Sequence, residues 1–212
     1  MRLLLLGATG GTGAALLRQA VAAGHEVTVI ARDPGRIQVD SPSRVTLVAG
    51  DVLEPGPWRE SAAAHDTLLS CLGSTDRKHP TTIYSRGTLN ALAAMGSRPD
   101  RRLICISSAG LDVAPDTPLA QKIVTRLVIQ RMYRHGYDDM RHMEAALHDQ
   151  DIRWTIVRPP MLNDRPPTGT YRTAVNDHLP KPRTVPRADL AGYMLTAIDD
   201  PATWKAVVEI SC

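Results

Sequence analysis

The sequence predicts an α/β fold with a doubly wound, mostly parallel sheet, and two observations carry this prediction. Short apolar runs alternate along the chain with longer segments of helical periodicity, a pattern typical of βαβ units. The runs are apolar almost throughout, as expected for strands that are buried on both faces of a parallel sheet. Strands are predicted at Leu3–Leu6, Val27–Ile30, Val45–Ala49, Thr67–Leu72, Leu103–Ile106, Arg153–Val157 and Ala206–Ile210.

Helical segments separate these runs, and two of them carry further signals. Gly24 follows the first helix and is predicted to end it, because glycine tolerates the left-handed backbone of a helix terminus. The longest segment contains Gly136, which predicts a kink or a split at that residue. Helices are predicted at Ala14–Ala23, Trp58–Ala64, Tyr84–Met95, Leu119 to about His148, and Arg187–Ile198.

The segment Arg158–Pro186 differs from the rest of the chain. It holds seven of the 16 prolines and has few long apolar runs. This composition predicts a small, loop-rich substrate lobe over one edge of the sheet, so residues 1–212 are expected to form a single Rossmann-like domain. Ligands of open α/β sheets bind at the carboxyl ends of the strands. Functional residues are therefore expected in the loops that follow the strands.

The composition excludes several classes of function. Hydrophobic residues make up 43% and charged residues 22%, which is ordinary for a globular protein. The net charge of +3 is too small to predict nucleic-acid binding, although it suits an anionic ligand. No apolar run reaches the roughly 18 residues of a membrane span. The leucine run Leu3–Leu6 is also too short for a signal peptide, whose apolar region needs about 7–15 residues.

The cysteines indicate a reducing compartment. Cys71, Cys105 and Cys212 are too few and too scattered for a disulfide framework, and the first two lie in apolar runs as expected for core residues. We therefore expect a cytoplasmic protein, a monomer or a homodimer, that acts on a small molecule. The histidines have no metal-ligand spacing, and no metal site is predicted.

A glycine-rich loop joins the first predicted strand to the first predicted helix. It contains Gly7, Thr9, Gly10, Gly11, Thr12 and Gly13. Glycines at this spacing permit a tight turn, a close approach of the backbone to a diphosphate, and packing of the helix on the strand. The start of the helix then presents free N–H groups to the anion. Because the loop lies between a strand and a helix, it predicts a dinucleotide-binding site.

The end of the second strand predicts which dinucleotide binds. Sites selective for NAD place an acidic residue there to bind the ribose 2′-hydroxyl. This chain has Arg32, with Arg36 four residues later, and two guanidinium groups suit the 2′-phosphate of NADPH. The alternative is two solvated arginines in a surface loop. Asp51 and Val52 follow the third strand as candidate adenine contacts, or Asp51 bonds its own backbone instead.

Several further motifs together resemble a known family. Beside the glycine loop, they are Ala31-Arg32-Asp33, Gly50-Asp51-Val52, Pro80-Thr81-Thr82, Arg158-Pro159-Pro160, Asp164–Tyr171 and Asp189-Leu190. The pattern resembles the atypical short-chain dehydrogenase/reductases with an NmrA-like NAD(P)H-binding core. Within that family it is most similar to the biliverdin reductase B (flavin reductase) subgroup, along nearly the whole chain.

The resemblance implies an NADPH-binding reductase and assigns further residues to its site. Cys71, Leu72 and Gly73 would run beside the cofactor. Ser107 and Ser108 would lie near the nicotinamide, with Ser108 in the position of the family's active serine. Pro159, Pro160 and Met161 would form a wall beside the nicotinamide carboxamide. Met161 and Ile106 depart from the subgroup, which has histidine and cysteine at these positions, so the acceptor does not follow from the resemblance.

The catalytic residues are the least specified part of the sequence. The Tyr-x-x-x-Lys spacing of typical short-chain dehydrogenases is absent, and Tyr137 with Arg141 is its only imitation. A flavin or similar conjugated, planar acceptor needs no strong protein acid, because solvent can supply the proton. Ser108 is the candidate catalytic residue, or it is a serine that bonds the backbone at a strand end. Two alternatives stay open for the function: a reductase or isomerase that tailors a secondary metabolite, and a non-catalytic sensor of NADPH.

Overall fold

The computed structural model describes residues 1–39, 41–96, 98–112, 127 and 130–212. In these ranges the strands are β1 Arg2–Leu6, β2 Glu26–Ala31, β3 Val45–Ala49, β4 Thr67–Ser70, β5 Arg102–Ile106, β6 Arg153–Arg158, β7 Leu162–Asn163, β8 Arg172–Val175, β9 Val185–Pro186 and β10 Ala206–Ser211. The main helices are α1 Gly11–Ala22, α2 Trp58–Ala63, α3 Ser85–Met95, α4 Arg134–His148 and α5 Arg187–Thr196.

The main sheet confirms the predicted fold class. Its strand order is β3-β2-β1-β4-β5-β6-β10-β8. Neighbours are parallel except β8, which runs antiparallel to β10. Because β1 is flanked by β2 on one side and β4 on the other, the chain reverses its winding direction beside β1. That reversal opens a crevice at the carboxyl end of β1, where doubly wound sheets bind their ligands.

Helices cover both faces of the sheet. On one face, α1 and α5 pack over one half of the core, with Leu16, Leu17 and Leu190 among its buried residues. On the other face, Trp58 of α2, Leu92 of α3 and Met143 of α4 bury the second half. The leucines of β1 are completely buried between these two layers. This explains why the first strand is an uninterrupted leucine run.

Two helix boundaries differ from the predictions. Helix α1 begins at Gly11, three residues before the predicted start, because the end of the glycine loop forms its first turn. Helix α4 runs unbroken through Gly136, and the break lies at Tyr133, after a short helical turn at Gln130–Met132. A Cβ atom on Gly136 would lie 3.7 Å from the Tyr84 ring, an ordinary contact distance, so this glycine neither bends the helix nor is required by its neighbour. The predicted helical residues 119–126, 128 and 129 lie outside the described residues.

One predicted strand is correct in position and wrong in burial. Val45–Ala49 is β3, but it lies at an edge of the sheet, and three of its five residues are exposed. An edge strand has a neighbour on one side only, which the apolar run did not reveal. Gly24 has the predicted role. Its φ is +86°, and its N–H bonds the carbonyl of Val21 at the end of α1.

The proline-rich segment is tied to the main sheet at several points. β8 pairs with β10, and β7 pairs with β9 in a separate parallel ribbon. The buried carboxylate of Asp189 in α5 accepts hydrogen bonds from the N–H groups of Thr168 and Gly169 and from the Thr168 hydroxyl. Burial raises the pKa of Asp189, but these hydrogen bonds outweigh burial and lower the pKa below its ordinary value.

Candidate functional site

The glycine loop is shaped by two contacts that exclude a side chain. Gly7 has a φ of +79°, and a Cβ atom there would lie 2.2 Å from the carbonyl oxygen of Cys71. A Cβ atom on Gly13 would lie 2.2 Å from the carbonyl oxygen of Gly7. The first contact lets the chain leave β1 close to β4, and the second lets α1 pack on the turn. Both glycines are therefore required by the fold of the loop.

The middle of the loop leaves backbone open at the surface. Thr9, Gly10 and Gly11 are exposed, while Thr12 is buried at the start of α1. A Cβ atom on Gly10 would meet only the Gly7 oxygen, at 3.4 Å, within the described part of the chain. An open glycine at the first turn of a helix lets an anion reach the helix N–H groups. The loop thus fits the diphosphate of a dinucleotide.

The residues predicted to select NADPH follow β2 and are exposed. The N–H of Gly50 bonds the carbonyl of Ala31, which brings the end of β3 beside the end of β2. Arg32 follows β2 and is exposed, and Arg36 is exposed in the 3₁₀ turn Pro34–Arg36. Neither guanidinium group has a hydrogen-bond partner among the described residues. Both are therefore available to an anionic group at this edge of the sheet.

The two predicted adenine contacts have partners within the protein. An Asp51 oxygen accepts a hydrogen bond from the N–H of Leu53 at 2.9 Å, so the predicted alternative, an aspartate that bonds its own loop, is present. Val52 is buried, and its carbonyl accepts a hydrogen bond from the Asn90 side chain. The second Asp51 oxygen is the group that remains for a ligand.

The segment after β4 runs directly beside the glycine loop. The N–H of Cys71 bonds the carbonyl of Leu6 at 3.0 Å. Burial raises the pKa of the Cys71 thiol to about 12, so the sulfur is protonated at neutral pH and is not a nucleophile. Leu72 is half-buried. Gly73 is exposed, and a Cβ atom there would meet no described atom within 4 Å.

Ser107 and Ser108 lie where the ends of β5 and β6 run side by side. The N–H of Ser107 bonds the Val157 carbonyl at 2.8 Å, and the N–H of Ala109 bonds the Pro159 carbonyl at 3.0 Å. Ser107 is only 3% exposed, and its hydroxyl has no partner among the described residues. A buried hydroxyl without a partner is unfavourable, so this one fits a polar group of a bound ligand.

The wall predicted beside the nicotinamide follows the same strand. Pro159 is buried and Pro160 is half-buried. Met161 is 73% exposed, while its carbonyl accepts a hydrogen bond from the N–H of Val185. Its flexible side chain is therefore free to cover a ligand, although its backbone is fixed.

Ser108 bonds Tyr137, a residue that the sequence suggested only as a partner of Arg141. The Ser108 hydroxyl oxygen accepts a hydrogen bond from the N–H of Gly110, as the predicted alternative required. The same hydroxyl donates to the Tyr137 hydroxyl at 3.4 Å. Tyr137 is 9% exposed, and a Cβ atom on Gly110 would lie 2.4 Å from its hydroxyl oxygen. Gly110 thus allows the tyrosine to reach the serine.

Arg141 does not complete an imitation of the Tyr-x-x-x-Lys pair. Its guanidinium bonds Asp138 and the carbonyl of Leu111 instead. The signal that would have identified Tyr137 is the Ser-x-Gly turn at Ser108–Gly110. Glycine at its third position makes room for a large group beside the serine hydroxyl. The spacing from Tyr137 to Arg141 predicted a pair that the structure does not contain, because Tyr137 bonds Ser108 instead.

An aromatic surface continues from Tyr137. The Tyr133 ring stacks on the Tyr137 ring with centroids 6.0 Å apart, and the Arg77 guanidinium lies 4.5 Å above the Tyr133 ring. The hydroxyl of Tyr84 accepts a hydrogen bond from the N–H of Ser74, and burial raises the pKa of Tyr84. The basic loop Thr75–His79 is thereby held against the same end of the sheet.

The described residues contain neither a metal site nor a membrane-spanning helix. No three histidine, cysteine, aspartate or glutamate side chains in that part of the chain are arranged to hold a metal ion. Among the same residues, no helix has the length and apolar character that crossing a membrane requires.

Comparison with known proteins identifies the family. A model of the NAD(P)H-binding family matches residues 7–201, a range that includes the glycine loop, Ser108 and Tyr137. The chain belongs to the NAD(P)H-binding family. The predicted NAD(P)H-binding family is thereby confirmed, while the resemblance to the biliverdin reductase B subgroup stays a prediction. The uncharacterized protein YwnB of Bacillus subtilis is similar to this member at 19% identity over 202 residues, which are 94% of this chain and 92% of that protein.

Solved structures share the fold of this NAD(P)H-binding protein. A candidate NAD-dependent epimerase/dehydratase of Bacillus halodurans has a TM-score of 0.76 and 23% identity, covering 100% of this chain and 94% of that one. A candidate NADH-flavin reductase of Streptococcus pneumoniae has a TM-score of 0.75 and 19% identity, covering 100% and 99%. A short-chain dehydrogenase/reductase of Veillonella parvula in complex with NADP has a TM-score of 0.78 and 19% identity, covering 100% and 94%.

Proposed function

We propose that this protein is an NADPH-dependent reductase that transfers hydride to a flavin or a similar conjugated, planar acceptor. The observation that carries the proposal is the Ser108–Tyr137 hydroxyl pair, at the same edge of the sheet as the glycine loop. The three cysteines are free, as is typical of proteins in a reducing compartment. We therefore expect the reaction to run in the cytoplasm.

The cofactor would be held along the carboxyl ends of the strands. The glycine loop would bind the diphosphate, Arg32 and Arg36 the 2′-phosphate, and Asp51 the adenine. On the other side of β1, Ser107 would bond the nicotinamide half, and the neighbouring backbone would line it at Cys71–Gly73 and Pro159–Met161. When bound, NADPH supplies the hydride from its nicotinamide ring.

The two hydroxyl groups would hold the reacting part of the acceptor. Because Ser108 donates to the Tyr137 oxygen, the hydrogen of Tyr137 is free to point at a third group. An oxygen or nitrogen of the acceptor that gains negative charge would accept that hydrogen bond. Such a bond stabilises developing charge and places a proton donor beside it. Ser108 therefore acts on the acceptor through Tyr137, and Tyr137 is the contacting group.

The surroundings of Tyr137 suit a flat acceptor. Tyr133 extends the ring surface, and the Arg77 guanidinium above it adds a positive charge that suits the phosphate of a flavin nucleotide. The exposed Met161 side chain is free to cover the opposite side. The candidate NADH-flavin reductase among the structural relatives supports this acceptor class.

The test is consumption of NADPH by the purified protein with FMN or riboflavin. We expect turnover with at least one flavin, followed at the absorbance band of the reduced nicotinamide. Tyr137→Phe should lower kcat about tenfold to a hundredfold while leaving NADPH affinity unchanged, because the phenol contacts the acceptor and not the dinucleotide. Tyr171→Phe is the matched control, since that tyrosine packs on Tyr193 at the other face of the sheet. NADPH binding without oxidation by any flavin would refute the flavin proposal.

The same hydroxyl pair also favours a second candidate function. A tyrosine hydroxyl backed by a serine suits the reduction of a ketone, in which the carbonyl oxygen takes up a proton as hydride reaches the carbon. Oxidation of NADPH by simple ketones or quinones, but not by flavins, would select this alternative. Binding without turnover across all acceptors would select the cofactor sensor.

A further inference from the structure

An arginine from a distant part of the chain lies over the glycine loop. A Cβ atom built on Gly11 would lie 2.7 Å from the Arg187 Cδ atom and 3.1 Å from its Nε atom. Gly11 is the first residue of α1, so the Arg187 guanidinium lies at the helix end that faces the proposed diphosphate. The absence of a side chain at Gly11 is what makes room for this arginine.

The small ribbon β7/β9 explains how Arg187 reaches this position. The ribbon is parallel, and its last residue pair is Asn163 with Pro186. The next residue of each strand is therefore Asp164 and Arg187, side by side at the same end of the ribbon. An oxygen of Asp164 lies 2.8 Å from the Arg187 Nη1 atom. The ribbon thus places Arg187, the first residue of α5, and Asp164 of the proline-rich lobe beside the glycine loop.

We propose that Arg187 binds the diphosphate of the nicotinamide cofactor and that Asp164 competes with the diphosphate for Arg187. A guanidinium beside a helix N-terminus adds a full positive charge to the partial charge of the helix end. The Asp164 side chain is 84% exposed and that of Arg187 is 31% exposed. An ion pair so open to solvent is weak, and a diphosphate with two charges displaces the carboxylate readily.

This inference rests on the dinucleotide site of the proposed function and is independent of the acceptor. It assigns a role to the lobe that differs from the substrate role predicted for it. It also separates two contributions to affinity. Arg32 and Arg36 would recognise the 2′-phosphate that distinguishes NADPH from NADH, whereas Arg187 would recognise the diphosphate that both share.

The experiment is isothermal titration calorimetry of three ligands against four proteins. The ligands are NADPH, NADH and adenosine 2′-phosphate, which lacks the diphosphate. The proteins are the wild type, Arg187→Gln, Asp164→Asn and the double variant. Arg165→Gln is the matched control, because Arg165 is an exposed arginine of the same lobe and is next to Asp164 in sequence. Thermal unfolding of each variant checks that it is folded.

We expect Arg187→Gln to weaken NADPH and NADH by the same factor, about tenfold, and to leave adenosine 2′-phosphate unchanged. Asp164→Asn should strengthen both dinucleotides about twofold to threefold, and this gain should vanish in the double variant. Unchanged dinucleotide affinity in Arg187→Gln, or an equal loss for adenosine 2′-phosphate, would overturn the assignment. If Arg187→Gln does not fold, weaker dinucleotide binding by Asp164→Asn would overturn it. A wild-type protein that binds neither dinucleotide would overturn the proposed function as well, whereas failure of flavin reduction alone would not affect Arg187.

Discussion

The two halves of the proposed site are built in different ways. The half on the β2 side of the sheet comes from short contiguous segments, with the glycine loop Gly7–Gly13 and Arg32–Arg36 each following one strand. The acceptor half brings together Ser108, Tyr137 and Pro159, which come from three elements far apart in the chain. A site made of contiguous residues depends on local backbone geometry, whereas a dispersed site depends on the packing of helix α4 against the sheet.

The largest effect is expected where that packing is held by charge. Arg158 at the end of β6 forms a bidentate ion pair with the buried Glu144 of α4, the helix that carries Tyr137, and its third nitrogen lies 2.6 Å from Asp112. Glu144→Gln leaves the mostly buried guanidinium of Arg158 with the exposed Asp112 as its remaining carboxylate partner among the described residues. Breaking a buried pair is strongly destabilising, and with Asp112 still bonded we expect the free energy of unfolding to fall by about 3 kcal/mol, measured by urea denaturation.

Glu60 provides the comparison for this variant. It is an exposed glutamate of α2, and Glu60→Gln should change the free energy of unfolding by about 0.5 kcal/mol or less. Equal losses in the two variants would show that the ion pair does not hold α4 on the sheet.

A second variant tests the acceptor half without changing a charge. Gly110→Ala would place a Cβ atom 2.4 Å from the Tyr137 hydroxyl oxygen and push the tyrosine away from Ser108. We expect kcat for the acceptor to fall about a hundredfold, while Kd for NADPH stays within about twofold of the wild type. The measurements are steady-state turnover and calorimetric titration. Full activity in this variant would separate Tyr137 from the reaction.

A variant in the half of the site that would bind the adenosine end of NADPH should change the Kd for NADPH. Arg36→Ala removes one guanidinium from the proposed 2′-phosphate site, and we expect NADPH to bind about tenfold more weakly while NADH is unaffected. Arg44→Ala is the control. Arg44 precedes β3, so it lies at the amino ends of the strands, away from the proposed site, where it bonds the Gly24 carbonyl. Equal losses for NADPH and NADH would contradict the selection of the 2′-phosphate.

The smallest effect concerns the attachment of the lobe and depends on pH. The pKa of Asp189 is lowered in the folded protein, so its contribution to stability is present above the ordinary carboxyl pKa. That contribution is lost as the pH falls through the lowered pKa. Asp189→Asn should cost about 1–3 kcal/mol at pH 7, and the difference from the wild type should shrink at a second, acidic pH below the ordinary carboxyl pKa. Urea unfolding at the two pH values measures it, and a difference independent of pH would exclude the ionised carboxylate as the cause.

The sequence predicted the parts of this molecule that depend on local patterns. The apolar runs located β1, β2, β4, β5, β6 and β10, and the glycine loop and Gly24 were recognisable because particular backbone conformations require glycine. The exposure of β3 was not predictable, because a run of apolar residues does not reveal how many neighbours a strand has. The pairing of Tyr137 with Ser108 and the position of Arg187 over the glycine loop were missed for a similar reason. The importance of Tyr137 and Arg187 depends on which residues lie beside them in the fold, and no spacing in the chain encodes the contacts with Ser108 and Gly11.

The parallel pairing of β7 and β9 has a consequence for how this scaffold diversifies. Val185 pairs with Leu162, and β7 is only two residues long. The chain therefore leaves the ribbon at Asp164 and re-enters it at Val185, close to where it left. The middle of this segment is nevertheless fixed to the rest of the fold, because β8 pairs with β10 and the N–H groups of Thr168 and Gly169 bond the buried Asp189. We therefore expect changes of loop length on this scaffold to be tolerated only where they leave these anchors in place.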